Sequence, residues 1–124
     1  MRGACTVLVA ALAIALAGCS AESAGAISFG AMSHDDHLRC AAQISSYDRL
    51  MASGEAERDP QIVSKSLVAL MTHLNAYAIP QGIGEPEAFA ALNQLRDELL
   101  GSVQPGELRA AVVACIESAE KSGV

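Results

Sequence analysis

Hydrophobic residues recur at intervals of three and four in four separate segments of the chain from residue 33 onward. This spacing places the apolar side chains on one face of an α-helix, because 3.6 residues complete one helical turn. The predicted buried faces are Cys40, Ile44, Tyr47 and Met51 in the first segment, Val63, Leu67, Leu70, Met71, Leu74 and Ala78 in the second, Phe89, Leu92, Leu95 and Leu99 in the third, and Leu108, Ala111, Val112, Cys115, Ile116 and Ala119 in the fourth. The pattern therefore predicts four amphipathic helices.

Residues that start and stop helices bound each of these segments. Ser33 and Asp36 stand in the arrangement of a capping box, with Asp in place of the usual Glu, and Gly54 ends this first helix. Asp59 is suited to cap the second helix, and Pro60 suits its first turn. The other predicted boundaries are Pro80 and Gly82 after the second helix, Pro86 and Gly101 at the start and end of the third, and Pro105 at the start of the fourth.

Short connections join the four predicted helices, which favours antiparallel packing of consecutive helices. Strands are poorly supported, since aromatic residues make up 3% of the chain and no useful run alternates between apolar and polar residues. We therefore predict an all-α domain at residues 33–124, folded as a small up-and-down four-helix bundle. The first and fourth helices are neighbours in such a bundle.

An apolar run at residues 6–17 follows the positively charged Arg2 and ends in small residues before a cysteine. This order is typical of a secretory signal, and the run is shorter than the roughly 20 apolar residues that a bilayer-spanning helix needs. The segment Leu16-Ala17-Gly18-Cys19 resembles the lipobox of bacterial lipoproteins, in which the bond before the cysteine is cleaved after its thiol has been lipidated. An ordinary signal cleaved near Ala17, or an uncleaved anchor, is the alternative.

The resemblance implies that residues 1–18 are a signal cleaved between Gly18 and Cys19, and that Cys19 becomes an N-terminus carrying three acyl chains. Two or more acyl chains anchor a protein stably to a membrane. Ser20 stands where the inner-membrane retention signal of such proteins is typically Asp, which implies delivery to the outer membrane, facing the periplasm. Residues 19–32 are rich in Ala, Ser and Gly, a composition that predicts a flexible tether.

The acidic charge of the chain limits the classes of partner that it suits. Its formal net charge is −6, and loss of Arg2 with the signal makes the remaining 106 residues one unit more negative. The sequence contains no stripe of Lys and Arg residues that would form a local basic surface. We therefore expect no binding to nucleic acid and no electrostatic attraction to anionic lipid surfaces.

The four cysteines divide according to the predicted compartment. Cys5 lies in the signal and Cys19 takes the lipid, so Cys40 and Cys115 remain. A pair of cysteines in the oxidising periplasm predicts a disulfide. Both residues lie on predicted core faces of neighbouring helices, which is consistent with this pairing. The alternatives are two buried free thiols, or a metal or redox pair.

Three histidines are the candidate metal ligands. His34 and His37 flank two aspartates in the segment SHDDHLRC, and such side chains are of the right type to bind a metal. The alternative is that the aspartates stabilise the positive start of the helix while the histidines are solvated. His73 lies between core-facing positions, either as a ligand or proton carrier or as a boundary histidine with a satisfied hydrogen bond. Two histidines at this spacing do not suffice, so we predict no metal site.

Motifs for catalysis are missing from the sequence. It contains no nucleophile elbow, no phosphate-binding glycine loop and no haem attachment motif. We therefore expect no enzyme activity and no cofactor. The expected function is that of a lipid-anchored bundle that binds an envelope protein, and the alternative is a periplasmic binding module for a small apolar ligand or a metal.

Overall fold

The computed structural model describes residues 31–122, which form four α-helices joined by short connections. The predicted signal peptide, Cys19 and the tether up to residue 30 lie outside the described residues. Every regular element in the described part is helical, which confirms the predicted all-α class. The helices are α1 (His34–Ser53), α2 (Pro60–Ala78), α3 (Glu85–Ser102) and α4 (Pro105–Ser122), and a short 3₁₀ turn at Ile79–Gln81 follows α2.

The caps of α1 and the start of α2 are as the sequence predicts. The Ser33 hydroxyl accepts a hydrogen bond from the Asp36 backbone N–H at 3.0 Å, and the Asp36 carboxylate accepts one from the Ser33 N–H at 3.2 Å. Gly54 ends α1 with φ of 85°, a conformation that glycine adopts without strain. The Asp59 carboxylate accepts a hydrogen bond from the Gln61 N–H at 2.9 Å. Local capping therefore defines both ends of the first connection.

The predicted end of α3 at Gly101 is wrong, because the helix continues to Ser102. Gly101 is exposed, and glycine in an exposed helix interior costs only about 1 kcal/mol relative to alanine. Val103 follows the helix in an extended conformation, with φ of −113° and ψ of 136°, and its N–H still bonds to the Leu99 carbonyl. Gln104 is also disfavoured in the helical conformation because it precedes Pro105.

Helices α1 and α2 run in opposite directions. His37, near the start of α1, meets His73, in the second half of α2. Asp48, later in α1, meets Ser66, earlier in α2. The start of α1 therefore lies beside the end of α2, and the two helices are antiparallel.

Helices α1 and α4 are also antiparallel neighbours. Cys40 near the start of α1 is joined to Cys115 in the second half of α4. Tyr47, two turns further along α1, lines the same surface depression as Arg109 near the start of α4. The predicted contact between the first and last helices is confirmed.

Helix α1 is the centre of the bundle and packs against each of the other three helices. Its residues Ala41, Ala42 and Ser46 are fully buried, and such small side chains let neighbouring helices approach closely. The Ser46 hydroxyl donates to the Ala42 carbonyl at 2.8 Å and lies 3.4 Å from the Arg96 carbonyl of α3, while Ala41 packs with Leu92. Helices α1 and α3 therefore run in the same direction, which completes the predicted up-and-down topology.

Helices α3 and α4 lie on opposite flanks of the α1–α2 pair. Each packs against both α1 and α2, and across the described residues the two share no helix contact. Helix α2 is therefore covered on two sides by its flanking neighbours and on a third by α1. Its remaining side faces solvent.

Helix α2 buries a different face from the one that its apolar spacing predicts. Leu67 is 70% exposed, so its predicted core position is wrong, and Val63, Leu70 and Met71 are half-buried. The helix carries apolar residues around its whole circumference, so a spacing of three and four fits more than one face. The face that is buried has mostly small or polar side chains, which permits close approach to α1 and α4. Its buried residues are Ile62, Ser66, Ala69, His73, Leu74 and Ala78.

A disulfide between Cys40 and Cys115 cross-links α1 and α4, as predicted. The Cα atoms are 5.5 Å apart, the two residues are separated by 75 positions, and both are at least 94% buried. The loop that the bond closes contains all of α2 and α3. Because small side chains occupy much of the core, each helix buries a modest apolar area, and a domain of this size gains much of its stability from such a cross-link.

Substitution of Cys40 by serine is expected to lower the free energy of unfolding by about 4 kcal/mol, the loop-entropy value for a cross-link of this span. Thermal unfolding followed by circular dichroism measures the effect as a lower melting temperature. The double variant Cys40→Ser/Cys115→Ser is the control, because it removes the free Cys115 thiol that the single variant leaves. An unchanged melting temperature in both variants would show that the bundle does not depend on the disulfide.

Candidate functional site

Two of the three candidate histidines meet inside the bundle, beside the disulfide. The Nδ1 atoms of His37 on α1 and His73 on α2 are 2.9 Å apart. His73 is 1% exposed, and its Nε2 atom lies 2.8 Å from the carbonyl oxygen of Cys115 on α4. His37 is half-buried at the edge of the same contact, while His34 is exposed and outside it. These contacts link α1, α2 and α4 at one level of the bundle.

The hydrogen-bond partners determine the tautomers of the two rings. A carbonyl oxygen only accepts, so His73 carries its proton on Nε2 and donates it to Cys115. The Nδ1 atom of a neutral His73 is then an acceptor, and His37 Nδ1 is the donor to it. Both nitrogens of the buried ring are therefore satisfied, which removes the cost of burying a polar group without partners.

Burial lowers the pKa of His37 below its ordinary value of 6.5. Desolvation is the largest cause, and electrostatic interaction with His73 acts in the same direction. The carboxylate of Asp36 opposes this by favouring the charged ring, and His34 adds to the lowering. The neutral form of His37 is thus favoured in the folded protein at neutral pH.

The geometry of the pair is that of a hydrogen bond and not that of two metal ligands. The ring centroids are 5.2 Å apart, so with a 2.9 Å separation the two Nδ1 atoms lie nearly on the line between the rings. Two nitrogen ligands of a tetrahedral metal with bonds of roughly 2.0–2.1 Å lie about 3.3 Å apart and point at the metal, so binding would require the two Nδ1 atoms to separate and both rings to turn away from each other. Among residues 31–122, no group of three or more His, Cys, Asp or Glu side chains is placed to hold a metal ion.

An ion pair outside the core joins the start of α2 to α4. The Arg109 side chain donates a hydrogen bond to the carboxylate of Asp59, which also caps α2. This hydrogen bond is the largest cause of the lowered pKa of Asp59, and the backbone N–H groups of Gln61 and Ile62 act in the same direction. The charged connection between α1 and α2 therefore contributes a structural contact.

The solvent-facing side of α2 carries an apolar strip, part of which the apolar spacing predicts to lie in the core. We call Leu67, Val68, Met71 and Ile79 the outer strip. Leu67, Val68 and Ile79 are 70%, 71% and 71% exposed, and Met71 is half-buried between them. Leu67 and Met71 are four residues apart, as neighbours along one side of a helix are. The exposure of Leu67 was missed because its spacing also suits a core face.

Shallow grooves border the outer strip on both sides. The groove between α2 and α4 has a volume of about 480 Å³, and Val68 of the strip lines it together with Ile116 of α4. A smaller groove of about 170 Å³ lies towards α3, where Met71 and Ile79 line it together with Phe89. The strip is therefore a ridge between two partly apolar depressions.

Helix α2 has more apolar residues than the core of the bundle buries. The helix and the turn after it, Pro60–Gln81, have a mean hydropathy of 1.2 in their most apolar window, a length and composition that would also suit a membrane span. Only one third of that window is buried within the bundle. Because Ile62, Ala69 and His73 are part of the core, we interpret α2 as a core helix with a second apolar side.

Substitution of His73 by alanine is expected to destabilise the bundle by about 2–4 kcal/mol, since it opens a cavity and leaves the Cys115 carbonyl without its donor. Urea unfolding measures the change. His34→Ala, which alters an exposed histidine, is the matched control and is expected to stay within about 0.5 kcal/mol of the wild type. Equal effects of the two substitutions would contradict the buried hydrogen-bonded role of His73.

The lowered pKa of His37 predicts that the bundle loses stability as the pH falls below 6.5. The unfolded chain binds a proton at His37 near pH 6.5, whereas the folded chain does so only at lower pH, so the unfolded state gains protons first. The stabilising contribution is complete above pH 6.5 and declines down to the folded-state pKa. Urea midpoints at pH 7.5, 6.5 and 5.5 measure this trend. In His37→Gln the trend is expected to be smaller, and an unchanged trend would contradict the assignment to His37.

Comparisons with known proteins leave the family of this chain open. No protein-family model, curated protein or solved structure is significantly similar to it. The two features of the described residues that bear on function are the histidine pair beside the disulfide and the outer strip of α2. The histidine pair is satisfied within the bundle, whereas the outer strip faces solvent.

Proposed function

We propose that the chain is a lipid-anchored protein of the bacterial cell envelope, whose helical bundle binds a protein partner through the outer strip of α2 and catalyses no reaction. The anchor is supported by the lipobox-like segment that ends at Cys19. The tether of residues 19–32 would let the bundle stand away from the outer membrane, on its periplasmic side. A disulfide-linked domain is suited to that oxidising compartment.

The outer strip is the single observation on which partner binding rests. Scattered exposed apolar residues are ordinary on protein surfaces, whereas several large ones together mark a surface of interaction. Here Leu67 and Val68 are adjacent on α2, and Ile79 lies in the turn that follows it, beyond the exposed Asn75; these three are the large apolar residues most exposed to solvent in the described part. Burial of these side chains by a partner would remove apolar surface from water at roughly 25 cal/mol per Å².

The polar groups of the core support a binding role over a catalytic one. The buried polar side chains of the described residues are Ser46, Ser66 and His73. Ser46 donates to the Ala42 carbonyl, Ser66 lies 3.4 Å from the Val63 carbonyl, and His73 bonds as described above. These groups hold the helices together, and none is presented to a groove as a nucleophile or a base.

A photo-crosslinking amino acid at position 68, in the lipidated protein of intact cells, is expected to give a defined adduct with one envelope protein. Val68 is exposed on the outer strip, so its replacement leaves the core unchanged. Mass spectrometry of the captured adduct identifies the partner. The same amino acid at Ala114, an exposed residue of α4 outside both grooves, is the matched control and is expected to give no adduct.

A second control tests the anchor in the same cells. Cys19→Ala removes the lipidation site, so the adduct is expected to decrease when the protein is no longer held at the membrane. Intact mass of the purified wild type is expected to show a chain that begins at Cys19 and carries lipid. A chain that retains Met1 would contradict the anchor, and adducts that are equal at positions 68 and 114 would contradict the role of the outer strip.

A further inference from the structure

The hydrogen bond between His37 and His73 depends on how many protons the two rings hold. With both rings neutral, His37 Nδ1 donates to His73 Nδ1 across 2.9 Å, and His73 Nε2 donates to the Cys115 carbonyl across 2.8 Å. One added proton leaves these bonds in place, because it can bind His37 Nε2, which takes part in neither of them. The His37 ring is then cationic, and its Nδ1 still donates to His73.

A second added proton is incompatible with this contact. His73 Nδ1 is the ring nitrogen of the pair that is then still without a proton, so the second proton has to bind there. An N–H group of His73 would face the N–H group of His37 across 2.9 Å. Two cationic rings would also lie 5.2 Å apart, with His73 only 1% exposed to solvent. The rings therefore have to separate when both are charged.

The surroundings offer little negative charge that would compensate a second proton. The charged groups that act on His37 are Asp36 and His34 of its own helix and His73 of α2, and Asp36 is the single anion among them. The Asp36 carboxylate is exposed and already accepts a hydrogen bond in the cap of α1. From α4, the group that meets the pair is the uncharged carbonyl of Cys115, and the disulfide does not titrate.

The other charged residues toward this end of the bundle are exposed to solvent. Between His73 and its end, α2 adds the half-buried phenol Tyr77 and no Asp, Glu, Lys or Arg. The exposed charged residues are Asp35 and Arg39 on α1, Glu85 and Glu87 on α3, and Glu117, Glu120 and Lys121 on α4. Because water and salt screen exposed charges, these groups do not hold a doubly protonated pair together.

The disulfide determines which helices separate. Cys40 and Cys115 keep α1 joined to α4 by a covalent bond, whereas His73 joins α2 to both of them at this level by hydrogen bonds. Leu74 and Ala78 of α2 belong to an apolar cluster with residues of α1 and α3, which protonation does not alter. The loss of the histidine contact therefore loosens α2 locally, while α1 and α4 stay together.

We propose that the histidine pair is a pH-sensitive switch, which holds the second half of α2 against α1 and α4 and releases it when both rings are protonated. The geometry of the His37–His73 contact carries this inference, because the contact accommodates one added proton and not two. The switch is a property of the bundle itself and goes beyond the proposed function. It can fail while partner binding holds, and the reverse is also true.

The number of protons taken up distinguishes this switch from the titration of His37 alone. Histidines that are released to solvent bind protons near pH 6.5. Release of two such rings raises the opening equilibrium constant by about 30-fold between pH 6.5 and 5.5, and release of one ring raises it by about fivefold. Closed pairs that already hold the first proton reduce the larger figure, so the switch predicts an increase of about 10- to 30-fold.

Hydrogen–deuterium exchange of the purified protein, in the form that the cell produces and with its disulfide intact, measures this opening. Amides at residues 72–78 of α2 report the local release, and amides at residues 92–99 of α3 report unfolding of the whole bundle. After correction for the intrinsic exchange rate at each pH, the opening constant of the α2 amides is expected to rise about 10- to 30-fold from pH 6.5 to 5.5. The rise for the α3 amides is expected to be smaller.

Glutamine variants remove the protons and keep the hydrogen bonds. In His73→Gln the side-chain amide can donate to the Cys115 carbonyl and accept from His37, and in His37→Gln it can donate to His73, but a glutamine binds no added proton. Each variant is expected to reduce the rise to about fivefold or less. His34→Gln, which alters the exposed histidine of α1, is the matched control and is expected to respond like the wild type.

A wild-type rise of about fivefold or less would overturn the switch, because it corresponds to one proton. Equal rises for the α2 and α3 amides would also overturn it, since the whole bundle would then unfold. A response of His37→Gln equal to that of the wild type would contradict the role of the pair, and this result can be obtained even if His73→Gln does not fold. A response of His34→Gln as small as that of His37→Gln would contradict it as well. None of these outcomes alters the crosslink expected at position 68, so the switch and the proposed function are tested separately.

Discussion

The bundle depends on a junction in which three helices are joined at one level. The disulfide between Cys40 and Cys115 joins α1 to α4, and His73 of α2 donates to the Cys115 carbonyl while it accepts from His37. A covalent bond therefore restricts the separation of α1 and α4, and two hydrogen bonds determine how α2 lies against both. Because His73 is buried with both nitrogens bonded, this contact specifies which face of α2 points inward.

The orientation of α2 leaves large apolar side chains on the surface of the molecule. Helix α2 turns small and polar residues such as Ser66, Ala69 and His73 inward, and the larger Leu67 and Val68 outward. A helix that served only to fill a core would place its largest apolar residues inward, because burial of their area stabilises the fold most. The inward face instead permits close approach of neighbouring helices, and the outward apolar face is available for a partner. One helix thus serves the stability of the bundle and the proposed interaction.

Local signals in the sequence predicted the ends of the helices better than their faces. Caps at Ser33, Gly54 and Asp59 depend on residues at most a few positions away, so they can be read from the sequence directly. The face of α2 depends on the rotation of the helix about its axis, which three neighbouring helices determine together. Leu67 was therefore assigned to the core, and the meeting of His37 with a buried residue of another helix could not be foreseen.

Cysteine pairing was predictable for a different reason. Cys40 and Cys115 lie on the apolar faces of the first and last helices, and those helices are neighbours in an up-and-down bundle. The predicted oxidising compartment indicated the pairing, and the predicted topology was consistent with it. The outer strip required the rotation of α2 as well.

Radical footprinting of the native protein tests most directly the central claim that the outer strip is covered by a partner in the cell. Leu67, Val68 and Met71 are measured by mass spectrometry in intact envelopes and in purified protein held in neutral-lipid nanodiscs, with the half-buried Leu100 of α3 as an internal reference. The expected result is oxidation of the strip in the purified protein and protection in the envelope, with Leu100 unchanged. Equal oxidation of the strip in both samples would contradict the claim.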